Sequence, residues 1–542
     1  MPARDQVRIF SKKESSTMDM FIKLAFLVVL FGVMVGIGLY CRKHTTDVNG
    51  FVLGGRAVGP WLTAFAYGTS YFSAVVFVGY AGQFGWKYGI AATWAGIGNA
   101  LLGSLLAWVV LGRRTRVMTQ HLDSATMPQF FENRFQSRSL KLAASAIIFI
   151  FLIPYTASLY NGLSRLFGMA FHVDYAVCVI AMAVLTGVYV IAGGYMATAI
   201  NDFIQGIIMI VGIIAVVGAV IKSQGGFLAA LDGLARVSDP AVSDTPGVFA
   251  SFFGPDPVGL LGVVLLTSLG TWGLPQMVQK FYAIRSEKAI DKGTIISTVF
   301  AAIVAGGCYF LGGFGRLFSD QVDVAANGYD SIVPTMLEGL STVLIAVVVI
   351  LVLSASMSTL SSLVLASSST LTLDFIKDTI VKDMDEKRQI LTMRLLIVVF
   401  IAISVVLAIV QYRSNLTFIA QLMGISWGAL AGSFLAPFLY GLYWKKTTKA
   451  ACAVCFLFSS AVMLANVFVG SAFPAVLQSP INCGAFCMLA GLILVPVVSL
   501  FTQPPAKKRV EEIFSCYEQT ITVTVKESIG RPAPSKKATK RR

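Results

Sequence analysis

Apolar residues run through this chain in blocks, broken by short stretches rich in charge, glycine or proline. Each block is near the ~20 residues that a helix needs to cross a ~30 Å hydrocarbon layer, and the pattern predicts about thirteen spans in an all-α membrane protein. They cover residues 21–40, 61–80, 90–111, 140–158, 173–192 and 199–221, then 258–282, 293–314, 341–374, 395–410, 418–444, 450–469 and 481–501.

The second and seventh spans are interrupted near mid-membrane by small or helix-breaking residues. The second reads Ala66-Tyr67-Gly68-Thr69-Ser70-Tyr71-Phe72-Ser73-Ala74, and the seventh Gly270-Thr271-Trp272-Gly273-Leu274-Pro275. Being an odd number of spans apart, repeats that begin at them run in opposite directions through the bilayer, as in inverted-repeat transporters whose broken helices expose carbonyls and helix ends to substrate and ion. Ordinary helix contact through small residues is the alternative.

Lys and Arg fall after the first span (Arg42, Lys43, Arg56), the third (Arg113, Arg114, Arg116, Arg134, Arg138) and the seventh (Arg285, Lys288, Lys292). They recur after the ninth (Lys377, Lys382, Lys387, Arg388), the eleventh (Lys445, Lys446, Lys449) and in the tail. All of these lie on one side, so the positive-inside rule places the amino terminus outside and the carboxyl terminus in the cytoplasm. The basic residues near the amino terminus run against this. The expected organisation is an extracellular segment at 1–20, a peripheral helix at 21–40, a core of two repeats (61–221 and 258–444), two peripheral helices within 450–501 and a basic, disordered cytoplasmic tail at 502–542.

Composition agrees with that picture: 56% of residues are hydrophobic, 13% are charged and mean hydropathy is +0.77, which excludes an ordinary water-soluble domain. The net charge of +15 sits in loops and tail, where it suits anionic membrane lipid and offers no folded face for nucleic acid. Cys452, Cys455, Cys483 and Cys487 fall inside apolar spans and read as small core residues. His44, His121 and His172 share no metal-ligand spacing.

Inside the membrane, Asp202 is the one acidic residue well within a span, one turn into the sixth. An unpaired carboxylate there costs ~3 kcal/mol, so it implies a cation, a basic partner or a proton site, and no Lys or Arg is near it in sequence. A capping role at the helix start is the alternative. In the ninth span Ser358, Ser361 and Ser362 share one helical face with Thr359 alongside, and hydroxyl oxygens suit a hard monovalent cation. Bonding back to the helix carbonyls would also explain them.

With these residues the chain resembles the sodium:solute symporter family, in its pantothenate- and proline-like branch. The resemblance extends from about Phe51 to Tyr443 and includes Leu53-Gly54-Gly55-Arg56, Thr126-Met127-Pro128-Gln129-Phe130-Phe131-Glu132-Asn133-Arg134-Phe135, Gly193-Gly194 with Asn201-Asp202-Phe203-Ile204-Gln205-Gly206, and Met357-Ser358-Thr359-Leu360-Ser361-Ser362 with Asp374. It implies a LeuT-like core of spans two to eleven and Na+ as coupling ion. The implied main sodium site is formed by the carbonyls of Thr69, Phe72 and Ala355 and the hydroxyls of Ser358 and Thr359. Some relatives hold a second sodium, and the matching set here is Asp202, Ser358, Ser361 and Ser362, which implies two sodium ions per cycle.

For the solute, the resemblance points to a cavity beside Tyr71, Ser73, Val76, Tyr155, Trp272, Pro275 and Gln276. Sugar-carrying relatives have Glu-Gln where this chain has Val75-Val76, which removes groups that read sugar hydroxyls. Tyr71 stands where proline carriers have an aspartate, and Thr267 and Thr271 where they have aromatics, although Tyr155 matches a tyrosine of theirs. Tyr71-Phe72-Ser73-Ala74 and Gly273-Leu274-Pro275-Gln276 are nearest to pantothenate-type carriers. The expected function is sodium-coupled import of a small solute bearing one carboxylate, a monocarboxylate, vitamin or amino acid. A proton-coupled carrier using Asp202 is the main alternative. An enzyme is disfavoured because no catalytic pair lies in the bilayer, and a sensor because the tail is short and polar.

Overall fold

The computed structural model describes residues 3–42, 47–171, 173–381, 383–414, 419–518, 521–523 and 538–540. Lys43, His44, His172, Lys382 and Phe418 lie outside the described residues. The main helices are α1 (Ala3–Arg42), α2 (Pro60–Thr69), α3 (Val75–His121), α4 (Met127–Phe135), α5 (Arg138–Phe171), α6 (Tyr175–Ser223), α7 (Pro257–Gly273) and α8 (Pro275–Ala283). They continue with α9 (Glu287–Gly312), α10 (Thr342–Ile380), α11 (Glu386–Ser414), α12 (Ile419–Tyr443), α13 (Lys449–Val469), α14 (Pro480–Phe501) and α15 (Lys507–Phe514).

Among the described residues ten helices are long and apolar enough to cross a membrane, or eleven when the pair α7 and α8, bent by 46°, counts as one span. The sequence pattern predicts more because two of the ten are unusually long. At 47 and 49 residues, α3 and α6 are each about twice the length a bilayer needs. Each contains a glycine at left-handed φ, Gly89 (φ 63°) and Gly194 (φ 57°, ψ −153°), at the places where span boundaries are expected. No polar loop intervenes at either position. A side chain at Gly89 would collide with the Phe249 carbonyl and one at Gly194 with Phe51, so the turns also carry close backbone approaches.

The second span stops as a helix at Thr69 and resumes after residues 70–73, and the seventh bends at the extended Leu274. Val58, just before the second span, pairs with the end of the seventh: its N–H donates to Ala283 O (3.2 Å), and Arg285 N–H donates to Val58 O (3.0 Å). The beginning of one broken span therefore lies beside the end of the other.

The basic clusters meet on this same face. Arg56 donates to Ser124 O (2.7 Å) and Tyr282 O (3.3 Å), Arg116 to Ile284 O (2.5 Å), Arg114 to Leu442 O (3.2 Å) and Arg138 to Asp378 O (2.5 Å). Each guanidinium satisfies carbonyls at helix ends that lack helical partners. The enclosed helices are α10 and α12, whereas α1, α11, α13 and α14 leave apolar residues such as Val28, Leu395, Phe468 and Phe501 on the outside, as lipid-facing helices do.

Two expected segments differ. Residues 3–20 do not form a separate piece but continue the first helix into α1. Part of 502–542 is ordered: Val510, Ile513 and Phe514, at i, i+3 and i+4, give α15 an apolar face that is buried. Phe514 stacks on the guanidinium of Arg134 (5.0 Å), and the Tyr517 hydroxyl donates to Arg114 O (3.2 Å). The high proline and charge content of the tail hides this short amphipathic stretch.

Candidate cation and solute site

The break in the second span frees carbonyls that a continuous helix would consume, and α10 lies against it. The Thr359 hydroxyl oxygen is 2.9 Å from Thr69 O, 3.3 Å from Phe72 O and 3.0 Å from Ala355 O. The Ser358 hydroxyl oxygen is 3.2 Å from Thr69 O and 3.0 Å from Ala355 O. All five residues are buried. Two hydroxyl protons thus face three carbonyl oxygens, an excess of lone pairs in a place without water access, which is the chemistry that a small hard cation relieves. Thr69, Phe72, Ala355, Ser358 and Thr359 are brought together.

The same helix caps the resumed half of the second span, since Ser356 Oγ accepts from Ala74 N–H (3.3 Å), and Ser73 within the break adds a local cap by accepting from Val75 N–H (3.2 Å). Ser356 has no distinctive spacing of its own, and only the docking of α10 gives it this role.

The second set is arranged differently. Ser358 turns toward Thr69, and Ser361 donates to Ser358 O within its own helix (2.8 Å). Ser362 Oγ lies 2.9 Å from Ser70 Oγ and 3.1 Å from the Nζ of Lys280. Lys280 in turn sits 3.9 Å from Asp202 Oδ2 and 5.0 Å from the ring centre of Tyr195. Of the three readings left open for Asp202, a cation, a basic partner or a proton site, the fold supplies a basic partner from outside its sequence neighbourhood: the bend at Leu274 turns α8 back so that Lys280 meets α6. A lone lysine inside the seventh apolar block was the available signal. Asp202 is also two turns past Gly194 and wholly buried, so it does not cap a helix start.

The solute-site residues are all buried around the two breaks. Among the described residues the hydroxyls of Tyr71 and Tyr155, the amide of Gln276 and the indole nitrogen of Trp427 find no hydrogen-bond partner. Tyr155 and Trp427 meet edge to face with centroids 5.9 Å apart. Gly162 on α5 and Gly273 on α7 allow backbones to close on Ala74 and Ala431. Val76 opens the resumed half-helix, and its N–H donates to Ser73 O (3.0 Å). Pro275 occupies the first turn of α8. Trp272 donates its indole N–H to Leu102 O (2.9 Å), which anchors it to α3. Trp427 has no spacing signal and emerges only from the packing of α12 on α5.

The string around Thr126 also finds a partner. Asp374 accepts from Thr126 Oγ1 (2.6 Å) and Gln129 Nε2 (2.8 Å), so α4 is latched to the end of α10. Lys141 joins the latch by bridging Glu132 (2.5 Å) and Asp378. All eight cysteines are buried and unbridged.

A membrane-embedded helical bundle with two broken spans, carbonyls and hydroxyls converging on one of them and unpartnered polar groups beside it, has the organisation of an ion-coupled secondary transporter. The family model described as "Sodium:solute symporter family" matches residues 51–458, and the chain belongs to that family. It is 28% identical over 485 residues to the osmoregulated proline transporter OpuE of Bacillus subtilis, covering 89% of this chain and 95% of the relative. It is 30% identical over 436 residues to a sodium/proline symporter of Staphylococcus aureus, covering 78% and 81%. A Na+-coupled sialic acid symporter in a substrate-bound outward-open state superposes with a TM-score of 0.69 at 16% identity, over 90% of this chain and 99% of that one. The protein is therefore a multi-pass plasma-membrane symporter with the LeuT-like fold, coupling solute to Na+, and not an enzyme.

Proposed function

We propose that sodium is held by the carbonyls of Thr69, Phe72 and Ala355 with the hydroxyls of Ser358 and Thr359, and that the solute is a small zwitterionic amino acid, proline being the first to test. The excess of oxygen lone pairs around Thr359 is the observation that carries the ion site. The solute reading is supported by the two relatives described as proline carriers and by the groups left unpartnered around the breaks. Tyr71, Tyr155 and Trp427 donate, Gln276 both donates and accepts, and none carries a charge, which matches a molecule with a carboxylate and an ammonium but no net charge.

The basic face described above is the cytoplasmic one by the positive-inside rule, with the carboxyl terminus on it and the amino terminus outside. Membrane lipid surrounds the outer helices, and nucleic acid is not a partner. Residues 61–221 and 258–444 are the two repeats. A cavity of about 370 Å³ lies at the far end of α5, lined by Ser164, Tyr175, Asp330 and Glu338. Sodium bridges the broken second span to α10, solute fills the space beside it, and the core rocks to open inward. A membrane potential supplies ~2.3 kcal/mol per charge per 100 mV.

The test is uptake of radiolabelled L-proline by purified protein in liposomes under an imposed sodium gradient. Uptake that collapses without sodium supports both parts. Sodium-dependent uptake of other amino acids but not proline overturns the solute alone, and uptake driven by a pH gradient without sodium overturns the ion site.

A further inference from the structure

Beside the ion site lies a second polar cluster whose oxygens are already answered by a positive charge. We infer that the ammonium of Lys280 holds the position that a second sodium ion would take, so that this protein binds and moves one sodium ion per solute.

The ammonium contacts three partners: Ser362 Oγ at 3.1 Å, the Asp202 carboxylate at 3.9 Å and the face of Tyr195 at 5.0 Å. Every one of these groups is buried, with Lys280 itself 2% exposed and Asp202 0%. Among the described residues Asp202 has no hydrogen-bond partner, so Lys280 supplies its compensation by charge alone. The remaining members of the set have turned elsewhere, Ser358 to Thr69 O and Ser361 to Ser358 O.

A sodium ion placed among Asp202 and Ser362 would have to lie within about 4 Å of the ammonium that already meets both. At a protein-like dielectric that repulsion weakens binding roughly a thousandfold. The residues present therefore do not fit a second sodium. The lysine performs the structural part of such an ion permanently, joining α8 to α6 and α10, and through Ser362 and Ser70 it reaches the residue next to Thr69.

The inference rests on the ion site proposed above, and radiosodium binding to purified protein separates the two. Wild-type protein is expected to bind one ion per chain, with a sodium Hill coefficient near one and equal radiosodium and L-proline fluxes in liposomes. Two ions per chain overturn this inference and leave the first site standing, whereas none overturns both. Lys280→Met uncovers Asp202, and in protein that elutes as a monodisperse peak it is expected to raise the count from one to two. A folded Lys280→Met that stays at one shows that the lysine excludes nothing. Asp202→Asn with Lys280→Met removes both charges and is expected to return the count to one, and two ions on that variant would also overturn the proposal. Where Lys280→Met alone does not fold, the wild-type count still decides.

Discussion

Ser358 and Ser362 are one helical turn apart on α10, yet the clusters around them are built on opposite principles. Around Ser358 and Thr359 every group is neutral, and carbonyl oxygens outnumber the protons that face them. Around Ser362 a full negative charge is met by a full positive one from the same chain. A site that must bind and release an ion on each cycle needs lone pairs that nothing else owns. One that must hold helices together is better served by a charge that cannot leave.

The largest expected effect comes from unbalancing the charged cluster. Asp202→Ala leaves the Lys280 ammonium buried without a counter-charge and should cost ~3–5 kcal/mol, seen as poor expression and a large drop in thermal midpoint by intrinsic fluorescence in detergent. A midpoint within a few degrees of wild type would show that the pair is not what holds α6 to α8.

The neutral cluster should behave in the opposite way, losing ion affinity rather than stability. Thr359→Val keeps the side-chain volume but removes a hydroxyl that touches three carbonyls. It is expected to raise the sodium concentration for half-maximal uptake by roughly tenfold, equivalent to losing one ~1.4 kcal/mol contact. Ser358→Ala, which loses a group touching two, should shift it by less. Equal shifts in both, or a fall in thermal midpoint comparable to Asp202→Ala, would erase the distinction between the clusters.

The smallest effect belongs to an ion pair at the surface. Asp256 caps α7 through Gly259 N–H (2.8 Å) and meets Lys87 at 3.0 Å, with 41% of its side chain exposed. Partial burial would raise its carboxyl, but the Gly259 N–H and the Lys87 ammonium outweigh that and hold it below the usual carboxylate range. Its stabilising contribution is therefore complete above the ordinary pKa of ~4 and is lost as pH falls through the depressed folded value. Asp256→Asn should lower the thermal midpoint slightly at neutral pH, by no more than ~1 kcal/mol, with the deficit closing in acid. A deficit that grows on acidification would reverse the sign assigned to this carboxylate.

Parts of the candidate site are legible in local sequence. The small-residue strings at Gly68–Ala74 and Gly273–Pro275 mark where helices cannot continue, and the spacing of Ser358, Ser361 and Ser362 is a property of one helix. The partner of Lys280 is not legible in sequence, because this lysine inside an apolar block has no charged neighbour within one turn to explain it. The ordered α15 was hidden by the composition of the tail around it, and Ser356 and Trp427 had no pattern at all.

The sequence by itself determined the apolar character of the blocks, the interruptions in the second and seventh and the hydroxyl-bearing face of α10, because each depends only on residues within a few turns of one another, whereas it overcounted the spans where no polar loop marks a turn. Which carbonyls those hydroxyls meet, 290 residues away, and which charge faces Asp202 were decided by the tertiary structure. Pairing of that kind depends on how helices from different repeats are rotated and bent against each other. Those angles follow from the packing of the whole bundle, and no local period encodes them.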